Sequence, residues 1–219
     1  MTKLVIFGAR GFAELAHYYF THDSGYTVAA FTVDGAYLQE TTFCGLPVVP
    51  FEEVTRVFPP REHEMFVAMG MQKVNRQRAA KVAEAGAQGY RLASFLSSRA
   101  TVPADLQLRP NTMIMESARI HPFVEIGSDT IIWSETRIAF RTRIGDHCWI
   151  VSALFGESVE VGDYSFIGLG ATIAPFVRIG DSNVIGAGAL ILKNTQPDEV
   201  YRGTASKASR VPSHRLWHI

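Results

Sequence analysis

An aliphatic residue returns at every sixth position through the middle of this chain: Val102, Leu108, Ile114, Ile120, Ile126, Ile132, Ile138, Ile144 and Ile150. The beat then slips and resumes through Phe155, Val161, Ile167, Ile173, Ile179, Ile185 and Ile191, so one residue is missing between Ile150 and Phe155. A six-residue period fits neither an α-helix nor a coiled coil, and it persists too long for a single strand. Two positions before these aliphatics sit smaller residues, among them Ala118, Val124, Thr130, Thr136, Thr142, Cys148, Ser165, Ala171 and Val177. Gly127, Gly145, Gly162, Gly168, Gly180 and Gly186 each follow one directly, where a residue without Cβ turns the chain most cheaply. Three hexapeptides per turn make a triangular parallel β-helix in which each aliphatic stacks on its counterpart one coil away, at a strand spacing of ~4.8 Å. The competing reading, a β-sandwich, requires two-residue alternation and irregular turns.

The period predicts a solenoid from about Val102 to Lys193, and the change of pattern near Ser97 divides the chain into 1–97, 98–200 and a tail, 201–219. Lys and Arg number 21 and so do Asp and Glu, which leaves no electrostatic footprint for nucleic acid or for insertion at an anionic membrane. Cys44 and Cys148 match neither a zinc spacing nor a disulfide framework and read as reduced thiols of a cytoplasmic protein; no metal site suggests itself. Leu4–Phe7 is too short an apolar run for a signal peptide, and nothing later approaches the ~18 residues of a membrane helix.

In the first part, Leu4–Phe7, the Gly8–Gly11 turn and Phe12–Phe20 read as strand, turn and helix. Thr27–Thr32 is a strand ending at Asp34, Met65–Met69 one ending at Gly70, and Val74–Ala85 a helix. Such alternation predicts a small Rossmann-like parallel sheet, so the class is α/β followed by all-β. Ligands of these sheets sit beyond the carboxyl ends of the strands, which selects Gly8, Gly11, Asp34 and Gly70 as a rim for a phosphate-bearing ligand. On the competing reading the glycines only permit packing and Asp34 caps a turn.

Gly8-Ala9-Arg10-Gly11-Phe12-Ala13, the run Phe66 to Lys73, the run Ile185 to Lys193 and Tyr201-Arg202-Gly203 together resemble the hexapeptide-repeat sugar acyltransferases of the NeuD/PglD type, over nearly the whole chain. The resemblance implies a left-handed β-helix, a homotrimer, acetyl-CoA or another acyl-CoA as co-substrate between neighbouring solenoids, and a nucleotide-linked sugar on the first domain. Members acylate amino sugars for bacterial surface polysaccharides. It also transfers Trp149, Leu169 and Ala187, with Gly168 and Gly186, to the CoA groove, and places Phe12 against the sugar. That family carries a histidine where this chain has Phe12, and its catalytic histidine where this chain has Phe140, in Ile138 to Asp146.

Acyl transfer from a thioester needs a nucleophile, help with its proton and a donor for the oxyanion. A neutral amine is nucleophilic without a base, whereas a sugar hydroxyl normally needs one, so loss of the histidine points to N-acylation of an amino sugar. Coil stacking places Glu157 one coil above Phe140 and His121 one coil below Ala139, the two candidates to handle a proton. Either also reads as a solvated turn residue, and His147 ranks third. Cys148 falls on an inward position. Lys193 and Arg202 are candidates for CoA phosphates at the open end, or simply solvated. O-acylation with a relocated base and a catalytically silent nucleotide-sugar-binding relative are the alternative functions.

Overall fold

Each hexapeptide closes as a two-residue strand and a four-residue corner, and the parallel strands stack into three sheets. The computed structural model describes residues 2–208 and 210–215, so the expected tail is described only in part. On the first face run Phe95–Leu96, Met113–Ile114, Ile131–Ile132, Trp149–Ile150, Phe166–Ile167, Val184–Ile185 and Val200–Tyr201. The second carries Arg119–Ile120, Arg137–Ile138, Leu154–Phe155, Thr172–Ile173 and Leu190–Ile191, and the third Glu125–Ile126, Arg143–Ile144, Glu160–Val161 and Arg178–Ile179. Pairing therefore starts before Val102 and ends beyond Lys193.

The second residue of every coil strand from Ile114 to Ile191 points inward and is buried, as are Ala118, Cys148, Ala153, Val159 and Ala171. Burying such a side chain contributes about 1.5–3 kcal/mol, and the column is continuous. The missing residue belongs to the corner Val151–Ala153, because Ile150 stacks on Ile167 and Phe155 on Ile138. Gly127 and Gly145 correct the turn reading. Neither has positive φ; the left-handed residues of their corners are Asp129 and His147, two positions later. A Cβ on Gly127 would lie 2.4 Å from Gly145 C, and one on Gly145 2.4 Å from Asp163 Oδ1. Here glycine admits the next coil. Through this corner the Asp146, Asp163 and Asp181 carboxylates accept from the amides of Ser128, Asp146 and Asp163 at 2.6, 2.8 and 3.0 Å.

The first residue of each strand points outward, and the three faces differ there. The third alternates Glu125, Arg143, Glu160 and Arg178, with ion pairs of 3.5 Å for Arg143–Glu125 and 3.1 Å for Arg178–Glu160. The first is apolar, and its Met113, Ile131 and Trp149 are buried under the N-terminal part of the chain.

That part is a sheet of β1 (Thr2–Phe7), β2 (Tyr26–Val33), β3 (Thr42–Phe43), β4 (Leu46–Pro50) and β5 (His63–Val67), in the order β3-β4-β2-β1-β5, all parallel but for β3. Helix α1 (Gly11–His22) packs between the sheet and the first solenoid face through Ala13, Ala16, Tyr19 and Phe20. The short α2 (Val54–Val57) and α3 (Arg76–Ala87) pack on the other sheet face, around Val5, Phe7, Met65 and Val67.

Polar groups fix the docking. Arg78 of α3 and Asp129 of the solenoid are both fully buried and pair at 2.8 Å. Arg78 also donates to Asn75 Oδ1 and to the carbonyls of Asp129 and Cys148. Asp129 accepts from Asn111 Nδ2 at 2.7 Å and lies 2.9 Å from His147 Nδ1, while Asn111 clasps both the amide and the carbonyl of Val67. A buried ion pair is tolerable when its remaining donors and acceptors are satisfied.

Candidate active site

The carboxyl ends of β2, β1 and β5 lie side by side, and Gly8, Asp34 and Gly70 follow them as a rim. Gly8 has φ +120°, and a Cβ there would stand 2.8 Å from the carbonyl of Ala68, the residue that follows β5, so the neighbouring backbone demands glycine. A Cβ at Gly11 would meet nothing within 4 Å. Packing does not require that glycine, and the first turn of α1 stays open to close approach. Asp34 is not free: its Oδ1 accepts from Lys81 Nζ at 2.7 Å, and Lys81 also bonds Glu84. Burial opposes the Lys81 charge, but the Asp34 and Glu84 hydrogen bonds outweigh it and hold the amine above its ordinary value. The ammonium lies over the Phe51 and Phe7 rings, 4.6 and 5.0 Å from their centroids.

Phe12 turns towards the solenoid. Its ring stacks on Trp133 at 6.2 Å and meets Trp149 edge-on at 4.8 Å. Trp149, expected in a CoA groove, is only 6% exposed, with the Arg78 guanidinium 5.3 Å from its ring. Both residues pack the sheet against the first face, because Trp149 is the outward residue of a covered strand.

The expected catalytic residues lie at the corner between the second and third faces. The register pairs Arg137–Ile138 with Arg119–Ile120 below and with Leu154–Phe155 above. Continued into the corner, it sets His121 beside Ala139 and Glu157 beside Phe140; Ser158 N donates to Phe140 O at 2.8 Å. Glu157 is exposed and His121 half-buried. The Phe140 ring is held edge-on to Phe123 at 5.6 Å and beneath the Arg141 guanidinium at 4.8 Å. Lys193 stands at this corner too, whereas Gly168, Leu169, Gly186 and Ala187 form the corner between the first and second faces, with Leu169 59% exposed. The Phe140 corner and this small-residue corner are thus separate corners of the solenoid, and Phe12, at the start of α1, stacks on Trp133, which lies in the small-residue corner two coils below Gly168.

Cys148 is fully buried in the column, and burial pushes its thiol up to about 12, which makes it chemically inert. Sequence reasoning missed Lys81 and Arg78. Their signal was spacing: with Ala85 they recur on the buried stripe of α3, where a cation must have a partner. Among the described residues no cluster of His, Cys, Asp and Glu is arranged to hold a metal ion, and no helix is long and apolar enough to cross a membrane.

No family model and no curated protein matches the chain. Solved structures share its fold. A variant of perosamine N-acetyltransferase from Caulobacter crescentus, in complex with CoA and GDP-perosamine, is 24% identical over 93% of this chain and 94% of that one, with a TM-score of 0.78. The acetyltransferase domain of PglB from Neisseria gonorrhoeae is 22% identical over 93% and 97%, with a TM-score of 0.79. WeeI from Acinetobacter baumannii is 19% identical over 91% and 96%, at a TM-score of 0.58.

Proposed function

We propose that this chain is an acyl-CoA-dependent N-acyltransferase of a nucleotide-linked amino sugar, acting in the cytoplasm in the synthesis of bacterial surface polysaccharide. The observation that carries the reading is the arrangement itself, a parallel sheet docked on a parallel β-helix, shared over more than nine-tenths of the chain with an N-acetyltransferase solved with CoA and GDP-perosamine. On this reading residues 1–97 are a Rossmann-like domain that holds the nucleotide through Gly8, Gly11, Asp34 and Gly70. Residues 98–200 are a left-handed β-helix that presents the acyl-CoA along Gly168, Leu169, Gly186 and Ala187.

The sheet rim and the Phe140 corner do not meet within one chain, so we assign the working unit to a homotrimer in which copies bring them together. The exposed Phe123, Phe176, Leu154 and Leu190, 47–71% accessible, supply apolar surface for that contact. Sedimentation of the purified protein is expected to give a trimer; a monodisperse monomer contradicts the assignment.

In the transfer, the neutral amine attacks the thioester carbonyl carbon, a C–N bond forms, the C–S bond breaks, and the departing thiolate takes the proton the amine sheds. Phe140 supplies no base, and an amine needs none before attack. Glu157, exposed beside Phe140, is placed to receive the ammonium form. The test follows thiol release from acetyl-CoA with a panel of nucleotide-linked amino and hydroxyl sugars. Glu157→Gln and His121→Ala are each expected to slow transfer by roughly tenfold or less, short of the ~10²–10⁴ of an essential general base. A loss of several thousandfold from either, with CoA binding intact, makes that residue the base and favours O-acylation. Failure to bind CoA at all removes both enzyme readings and leaves a silent nucleotide-sugar-binding relative.

A further inference from the structure

The outward residues of the second face are Arg119, Arg137, Leu154, Thr172 and Leu190. Arg119 and Arg137 are direct cross-strand partners, one strand spacing of ~4.8 Å apart. Both are exposed, and neither has an ion pair or a side-chain hydrogen bond among the described residues. Their other neighbours in the sheet, Thr101 and Leu154, carry no charge. The third face shows what the same fold does elsewhere, since Arg143 and Arg178 each face a glutamate there. Like charges directly opposite destabilise a sheet, so this pair costs the fold something and returns nothing to it within the chain.

The placement is not neutral either. Arg119 precedes His121 by two residues and Arg137 precedes Phe140 by three, so the pair lies along the face that ends at the Phe140–Glu157 corner. Arg141, over the Phe140 ring, brings a third guanidinium to that corner. Two planar forks side by side, each rich in N–H donors, match an anion with oxygens on two adjacent centres better than they match one carboxylate.

We propose that Arg119 and Arg137 form a binding site for a diphosphate group. If the chain is the proposed transferase, that group belongs either to the nucleotide-linked acceptor or to CoA. Held there, it would place the rest of the molecule towards Phe140 and Glu157.

The test titrates the full-length protein with inorganic pyrophosphate, UDP, GDP and CoA by calorimetry, at two salt concentrations. The double variant Arg119→Gln/Arg137→Gln is expected to bind pyrophosphate about tenfold more weakly or worse, and with a shallower salt dependence. Its melting temperature is expected to hold or rise, because a repulsion has been removed; a structural role for the pair would lower it. Arg143→Gln/Arg178→Gln, which removes the same charge from the third face, is expected to bind pyrophosphate as the unmodified protein does. A matching loss for UDP or GDP but not CoA assigns the group to the acceptor, and the reverse assigns it to CoA.

Undiminished pyrophosphate binding in the first double variant, an equal loss in the second, or no pyrophosphate binding by the unmodified protein overturns the site. So does a change in sedimentation without a change in anion binding, which would assign the arginines to a contact between copies. Thiol release separates the two readings: a protein that loses pyrophosphate binding in the variant yet never releases thiol keeps the site and loses the transferase.

Discussion

Replacing Ile144 by Asp is expected to abolish soluble folded protein. Ile144 is 3% exposed, paired in register with Ile126 below and Val161 above, so its side chain ends in the middle of the aliphatic column. The nearest hydroxyl in sequence, Thr142 Oγ1, already bonds Gly156 O at 3.0 Å. A carboxylate there would be buried with no donor, and the isoleucine contacts would be lost as well. Losing the packing alone costs about 2–5 kcal/mol by analogy with large-to-small core changes, and an unpaired buried charge costs more. A domain with a total margin of about 5–15 kcal/mol does not absorb both. Arg143→Ser, one residue away but exposed on the third face, is expected to express normally. Soluble Ile144→Asp protein with an unchanged melting temperature would mean that the inward register is wrong.

The second large effect is expected at the docking interface. Asp129→Ala removes the carboxylate that Arg78 meets at 2.8 Å, where both side chains are fully buried, and leaves a guanidinium with carbonyl and amide partners but no counter-charge. Breaking one side of such a pair costs about 3–5 kcal/mol. The change also takes one of two acceptors from Asn111 Nδ2, which keeps Val67 O, and removes the partner of His147 Nδ1. Urea unfolding at neutral pH, followed by tryptophan fluorescence and by far-UV dichroism, is the measurement. Two of the three tryptophans, Trp133 and Trp149, lie at the interface beside Phe12, so fluorescence reports on the docking. If the sheet and the solenoid uncouple, the two probes will report separate transitions. The double change Arg78→Met/Asp129→Leu is expected to recover much of the loss, because it removes both charges together. A cost below about 1 kcal/mol for Asp129→Ala, within the range of an exposed ion pair, would refute the interface described above.

Much of the solenoid was legible because its hexapeptide period reports one physical fact, that every sixth side chain meets the same apolar column. Ile114 to Ile191, the register slip after Ile150 and the inward place of Cys148 all follow from that fact. The alternating strands and helices of the first part were legible for a similar reason, with β1, α1, β2, β5 and α3 near their expected places. Strand β4 was not. Its Leu46-Pro47-Val48-Val49-Pro50 carries two prolines, each without a ladder donor; β4 pairs with the second edge of β2 at Phe31–Val33.

The outward residues were decided only by the tertiary structure. Met113, Trp149, Arg119 and Glu125 occupy equivalent positions in the repeat, yet one face is covered by α1, one is left bare and one neutralises itself. Phe12 and Trp149 stand at expected ligand positions in the motifs, and only the docking of two local structures reveals that they also pack against each other. Arg78 and Asp129 lie far apart in sequence and carry no motif; their pairing follows from where helix α3 lands on the corner between the third and first faces. A period along the chain states which side chains leave solvent together, whereas the fate of those that point outward depends on a surface brought from elsewhere.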